Sequence, residues 1–98
     1  MEYRLQYTPA ALADLAEASG RSWTEHPHTT ELFMDALLRH IGLLQSFPEL
    51  GPVVRKRKEI RVLVHWPFVV YYQVHACLKR VDILRIRHGS RRPPRLST

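Results

Sequence analysis

The sequence predicts an α+β fold: a short N-terminal strand, a helical hairpin, then a three-stranded antiparallel meander, with the helices packed on one face of the sheet. Two observations carry this. Apolar residues recur at helical spacing between Pro9 and Phe47, whereas they alternate with polar ones before that segment and are β-rich after it. The three β-rich runs also follow one another too closely to leave room for crossover helices, so they pair antiparallel.

Residues 2–7 alternate Tyr3, Leu5 and Tyr7 with Glu2, Arg4 and Gln6, the period of a half-buried strand. Thr8-Pro9 reads as an N-cap followed by proline at the first helical position. A helix is expected from Pro9 to the mid-twenties, with Leu12, Leu15, Ala16, Ser19 and Trp23 on its apolar stripe. Gly20 weakens it by about 1 kcal/mol relative to Ala, predicting a loose or bent last part, and His26-Pro27 ends it. From about His28 to Phe47, Phe33, Leu37, Ile41 and Leu44 form a second stripe, with Met34 and Leu38 beside it. Two helices joined at Pro27 need an apolar partner that the first strand alone cannot supply, so a sheet must follow. After the turn at residues 47–52, strands are expected over Glu59–His65, Phe68–His75 and Arg80–His88. Residues 1–88 thus form one domain, and 89–98 form a basic, proline-containing tail that orders only against a partner.

Charge divides the chain. Residues 1–54 hold three basic and seven acidic side chains, a net of −4, while residues 55–98 hold twelve basic and two acidic, a net of +10. The basic half points to an acidic or polyanionic partner. Ninety-eight residues at 45 % apolar content suffice for one core and argue against disorder. The single cysteine, Cys77, excludes an internal disulfide, and no Cys/His spacing suits a structural zinc. Neither a metal nor a cofactor is expected. The N-terminus lacks the pattern of a secretory signal, and no run approaches the ~20 apolar residues of a membrane span. A cytoplasmic protein with no membrane association is the expectation.

Several strings, in this order, resemble the RelE/ParE superfamily of type II toxin–antitoxin toxins: Tyr7-Thr8-Pro9-Ala10-Ala11-Leu12-Ala13-Asp14-Leu15, the run Leu43–Gly51, Ile60–Val64, Val70–Val74, and Ile83–Arg92. The resemblance covers almost the whole chain. In the ribonuclease branch, lysines and an arginine on the sheet stabilise charge developing at phosphate. Here those positions fall on Ile60, Val62 and Val69, all aliphatic, so the resemblance favours the ParE branch. It implies an inhibitor of growth that poisons DNA gyrase, is not itself an enzyme, and is neutralised by a cognate antitoxin in a toxin–antitoxin hetero-oligomer. The alternative is a RelE-type endoribonuclease acting on mRNA at the ribosome. The sequence departs from the usual ParE pattern at Trp66-Pro67, where the hairpin turn generally carries Gly, and in a tail richer in Arg and Pro.

Arg61, Arg85, Arg87, His88, Arg91 and Arg92 are the candidates for contact with target or nucleic acid, and Arg61, Arg85 and His88 are the candidates for chemistry under the alternative. Arginine offers bidentate donors and a permanent charge, and an imidazole titrates near neutrality. Each has a plainer reading: Arg61 as a solvated edge residue, His88-Gly89 as a strand end, the tail arginines as a solubilising segment. Strict alternation puts Arg85 and Arg87 on the face of Val81 and Ile83, so both faces run from apolar to polar, and either a bulge or a strand emerging from the core is expected near Arg85. Tyr71 and Tyr72 point to opposite faces. Trp23 is expected in the core and Trp66 exposed at its turn. The Arg55–Lys58 cluster reads as a solvated loop.

Overall fold

A computed structural model describes residues 2–89, apart from the side chains of residues 21–24. The Trp23 side chain and the tail with Arg91 and Arg92 therefore lie outside the described residues. The elements run β1 (Arg4–Tyr7), α1 (Pro9–Glu25), α2 (Pro27–Gly42), β2 (Val53–Val54), β3 (Arg57–His65), β4 (Phe68–His75) and β5 (Arg80–His88). The sheet order is β1-β5-β4-β3-β2, with β1 parallel to β5 and the other pairs antiparallel. The meander is as expected, except that β3 begins at Arg57, so Arg57 and Lys58 lie on the strand and not in a loop before it. β2 is an addition: two residues after Pro52 are too short to show a period, and it is the Val53↔Arg61 pairing that makes them a strand.

Thr8 is the joint between strand and helix. Its Oγ1 accepts the Ala11 N–H at 3.1 Å, capping α1, and its single proton is shared between the carbonyls of Ile83 and Leu84, each 3.0 Å away. The cap thereby pins the start of α1 to β5. The helix runs unbroken through Gly20, with Ser19 Oγ donating back to the Leu15 carbonyl at 3.0 Å. α2 begins at Pro27, and the Thr30 N–H bonds the His26 carbonyl at 3.0 Å. Its regular part stops at Gly42, five residues before the expected end, where the chain tightens into a 3-10 turn over Leu43–Gln45. That turn buries Leu44 and presents the Gln45 carbonyl to the Tyr3 N–H at 2.8 Å.

Helix and sheet meet in a core of Ala11, Leu37, Ile41, Leu44, Leu63, Val70, Tyr72, Val81, Ile83 and Ile86. The α2 stripe is the expected one except that Leu38 is exposed. On α1 the inward line runs through Ala11 and Leu15, while Leu12 and Ala16 face out. The expected stripe was thus one residue out of phase, because the Thr8 cap fixes the rotation of the helix on β5. No described element covers the opposite face of the sheet, which carries Val62, Val64, Val69 and Tyr71.

The bulge lies at Leu84. Tyr71 pairs with Arg85 but Tyr72 pairs with Ile83, so Leu84 is the extra residue. It switches the parity of β5: Ile86 joins Val81 and Ile83 in the core, and Arg85 and Arg87 leave the face that strict alternation assigned them.

Candidate target-binding surface

The expected site residues within the described part, Arg61, Arg85, Arg87 and His88, fall in four environments. Arg61 lies on β3 with β2 outside it, so it is not at the sheet edge. It shares the helix-covered side with its cross-strand partner Tyr72. Its guanidinium donates to the Gly51 carbonyl at 2.8 Å and lies 3.7 Å from Glu49, and its side chain is only 24 % exposed. Tyr72 completes the arrangement, its hydroxyl accepting the Gly51 N–H at 2.9 Å. Burial raises the Tyr72 hydroxyl pKa against the lowering pull of the Gly51 N–H and Arg61. Both backbone groups of Gly51 are thus held from the sheet, and Arg61 serves the turn.

Arg85 is held by Asp14 of α1, with Nε at 2.7 Å from one carboxylate oxygen and an Nη nitrogen at 2.9 Å from the other. The same carboxylate accepts the Ile86 N–H at 2.8 Å. β1 ends at Tyr7, so β5 beyond Ile83 keeps β4 on one side but has no strand on the other, and α1 supplies that edge with Asp14. Burial alone would raise the Asp14 carboxyl. The Arg85 and Ile86 hydrogen bonds and the charges of Arg85 and Arg87 outweigh it, and its pKa is lowered. Arg85 is raised in return, first by its bond to Asp14.

Arg87 pairs with Val69, on the uncovered face, and its charge acts on Tyr71 as well as on Asp14. Tyr71 is half-buried, its hydroxyl raised by burial and pulled back in part by Arg87. Beside them stand Val62 and Val69, with Val64 exposed. The uncovered face therefore joins an apolar strip to a cation and an aromatic ring.

His88 is on the other side. Its ring stands edge-on to Phe68, with centroids 5.6 Å apart, and lines a cavity of about 410 Å³ between the helices and the β3–β4 hairpin. Phe33, Met34, Pro67, Ala18, Thr29, Thr30 and His26 complete the lining. Trp66 is 73 % exposed at the hairpin turn, as expected, and the Gly89 N–H bonds the Pro67 carbonyl at 2.7 Å, closing the strand end onto that turn. Arg85, Arg87 and His88 thus share the last half of β5, while Arg61 stands two strands away.

Sequence reasoning missed Asp14, the cavity, and a hydrogen bond of 2.9 Å between the Nδ1 atoms of His40 and His65. No sequence signal marks these, since each depends on which residues the packing of α1 and α2 brings to the sheet. Among the described residues no group of three or more His, Cys, Asp or Glu side chains could hold a metal ion, and no helix is long and apolar enough to cross a membrane.

Comparison with known proteins agrees with the fold. No curated protein matches the chain. Among solved structures, the RelBE2 toxin–antitoxin complex from Mycobacterium tuberculosis is similar at 21 % identity and a TM-score of 0.67, over 90 % of this chain and 99 % of that one. The chromosomal ParDE toxin–antitoxin system from P. aeruginosa is similar at 23 % identity and a TM-score of 0.72, over 89 % and 96 % of the two chains. The family model described as ParE toxin of the type II toxin-antitoxin system, parDE, matches residues 5–93. With the bulged β5, the helical hairpin on one sheet face and a match of this extent, the chain belongs to the ParE toxin family of type II toxin–antitoxin systems.

Proposed function

We propose that this toxin acts as a binding inhibitor of DNA gyrase that traps the enzyme with its DNA cleaved, and that it is not a ribonuclease. One observation carries the reading: the positions that correspond to the cations of the nuclease branch are Ile60, Val62 and Val69, and Val62 and Val69 lie together on the uncovered sheet face. Acid–base chemistry on RNA needs cations and proton carriers aimed at one phosphate. Arg61 is turned into the Gly51 turn and Arg85 into Asp14, away from such a role. What the face offers instead is apolar area with Tyr71 and Arg87 at its border, the composition of a protein-contact surface. In this reading Arg87 is the contact within the described residues, and Arg91 and Arg92 extend it.

The cognate antitoxin would cover the same basic half with an acidic, amphipathic segment, since a net of +10 over residues 55–98 favours a partner of opposite charge. The toxin is then active when freed of it, in the cytoplasm where gyrase works.

The test is a gyrase cleavage assay with the purified chain, beside Arg87→Ala. Wild type accumulates cleaved DNA and the variant loses tenfold or more of that potency. Absence of any gyrase effect, with cleavage of mRNA on ribosomes in its place, would overturn the reading.

A further inference from the structure

The His40–His65 contact joins two elements that are otherwise lightly connected, α2 and β3. The two Nδ1 atoms are 2.9 Å apart and the ring centroids 5.1 Å, with the rings inclined at 55°. Two imidazole nitrogens at that distance hold a single proton between them: one presents an N–H and the other a lone pair. The rings are therefore in opposite tautomeric states, the donor protonated on Nδ1 and the acceptor on Nε2.

We propose that His40 and His65 form an acid-labile latch that ties α2 to the end of β3 and, through Phe33, holds the shape of the neighbouring cavity. The first added proton does not open it. It enters at Nε2 of the donor ring, and the N–H···N bond becomes charge-assisted. The second proton has only the acceptor Nδ1 to occupy. Two N–H groups on two cations then face one another at a distance set for a hydrogen bond, and the pair separates. Uptake of two protons thus converts a bond into a repulsion, and the pair titrates as a unit.

The surroundings favour this behaviour. His65 stands edge-on to Phe33, centroids 5.6 Å apart, and Phe33 packs on Phe68 at 5.7 Å; both phenylalanines line the cavity. An opened latch removes one ring from the wall behind Phe33. α2 brings Asp35 and Arg39 near His40 in the chain, β3 carries no charged side chain after Arg61 other than His65 itself, and β4 carries none before His75. From β5 come His88, on Phe68, and Arg87, whose charge acts on Tyr71 and Asp14. From α1, Asp14 and Glu17 act on Arg85. For His65, burial lowers the pKa and the charge of His40 lowers it further, with no carboxylate among the described residues opposing them. Protonation of His65 is therefore resisted until acid forces it.

The experiment is an imidazole nitrogen NMR titration of the full chain from pH 8 to 4.5, with the unfolding free energy followed over the same range for wild type, His40→Asn and His65→Asn. The latch requires opposite tautomers at pH 8, proton uptake in two separated steps, and amide protection in α2 that falls with the second step. Each unit by which the second step lies below the ordinary imidazole value costs wild type tenfold in its folding equilibrium constant, a loss both variants are spared. Identical tautomers at pH 8, one common titration step, or the same pH dependence in wild type and variants would overturn it. The titration is made on wild type, so the proposal is tested even if a variant does not fold.

Discussion

Asp14 binds Arg85 through both carboxylate oxygens and, with the same group, accepts the backbone N–H of Ile86. Thirteen per cent of the Asp14 side chain is exposed, so this is a mostly buried anion with three donors at the stretch of β5 that β1 leaves unpaired on one side. It fixes α1 against the sheet where the bulge at Leu84 has just changed the strand's parity.

Asp14→Ala removes the acceptor for Ile86 and leaves the Arg85 charge unpaired. A loss of about 2–4 kcal/mol is expected in urea unfolding, since a buried group without its partner keeps its full desolvation penalty. Asp14→Asn, which retains one acceptor, should lose less.

The same carboxyl sets an acid limit. Its folded pKa lies below the unfolded value of about 3.9, so the stabilisation is fully present above that value and is lost as pH falls through the folded one. Stability profiles of wild type and Asp14→Asn between pH 5 and 2 should converge toward the acid end. Parallel profiles would show that the ion pair contributes nothing.

Gly51 has no room for a side chain, because a Cβ there collides with the Val62 carbonyl oxygen. Gly51→Ala should cost about 3 kcal/mol or more by forcing the turn off β3. Tyr72→Phe, which leaves the Gly51 N–H without its acceptor in a buried corner, should cost about 1–3 kcal/mol with the fold intact. Circular dichroism with urea titration separates the two effects.

Thr8→Val keeps the shape and removes the cap together with the hydroxyl's shared hydrogen bond to the two β5 carbonyls. About 1–2 kcal/mol of stability should go, the upper part of the range for a lost N-cap. Hydrogen exchange should localise the loss to the first turn of α1 and to the β1–β5 pair.

Three meander strands, the Thr8 cap, the Pro27 joint and the α2 stripe were legible because each is written in contiguous residues: alternation, a cap beside a proline, apolar residues three and four apart. The bulge was one of two readings open in the sequence, since both faces of β5 turn from apolar to polar toward Arg85, and the pairing on β4 decides for it. The parallel pairing of β1 with β5 and the phase of α1 were not legible, because they depend on contacts between the two ends of the chain, whose register no local pattern encodes, and β2 is too short to show a period. The same limit separates the arginines. By sequence Arg61, Arg85 and Arg87 are alike, strand cations in a basic half. Only the tertiary structure sets Arg61 against Gly51, Arg85 against Asp14, and Arg87 beside Tyr71 on the open face, because a charge takes its role from the partner that packing brings to it.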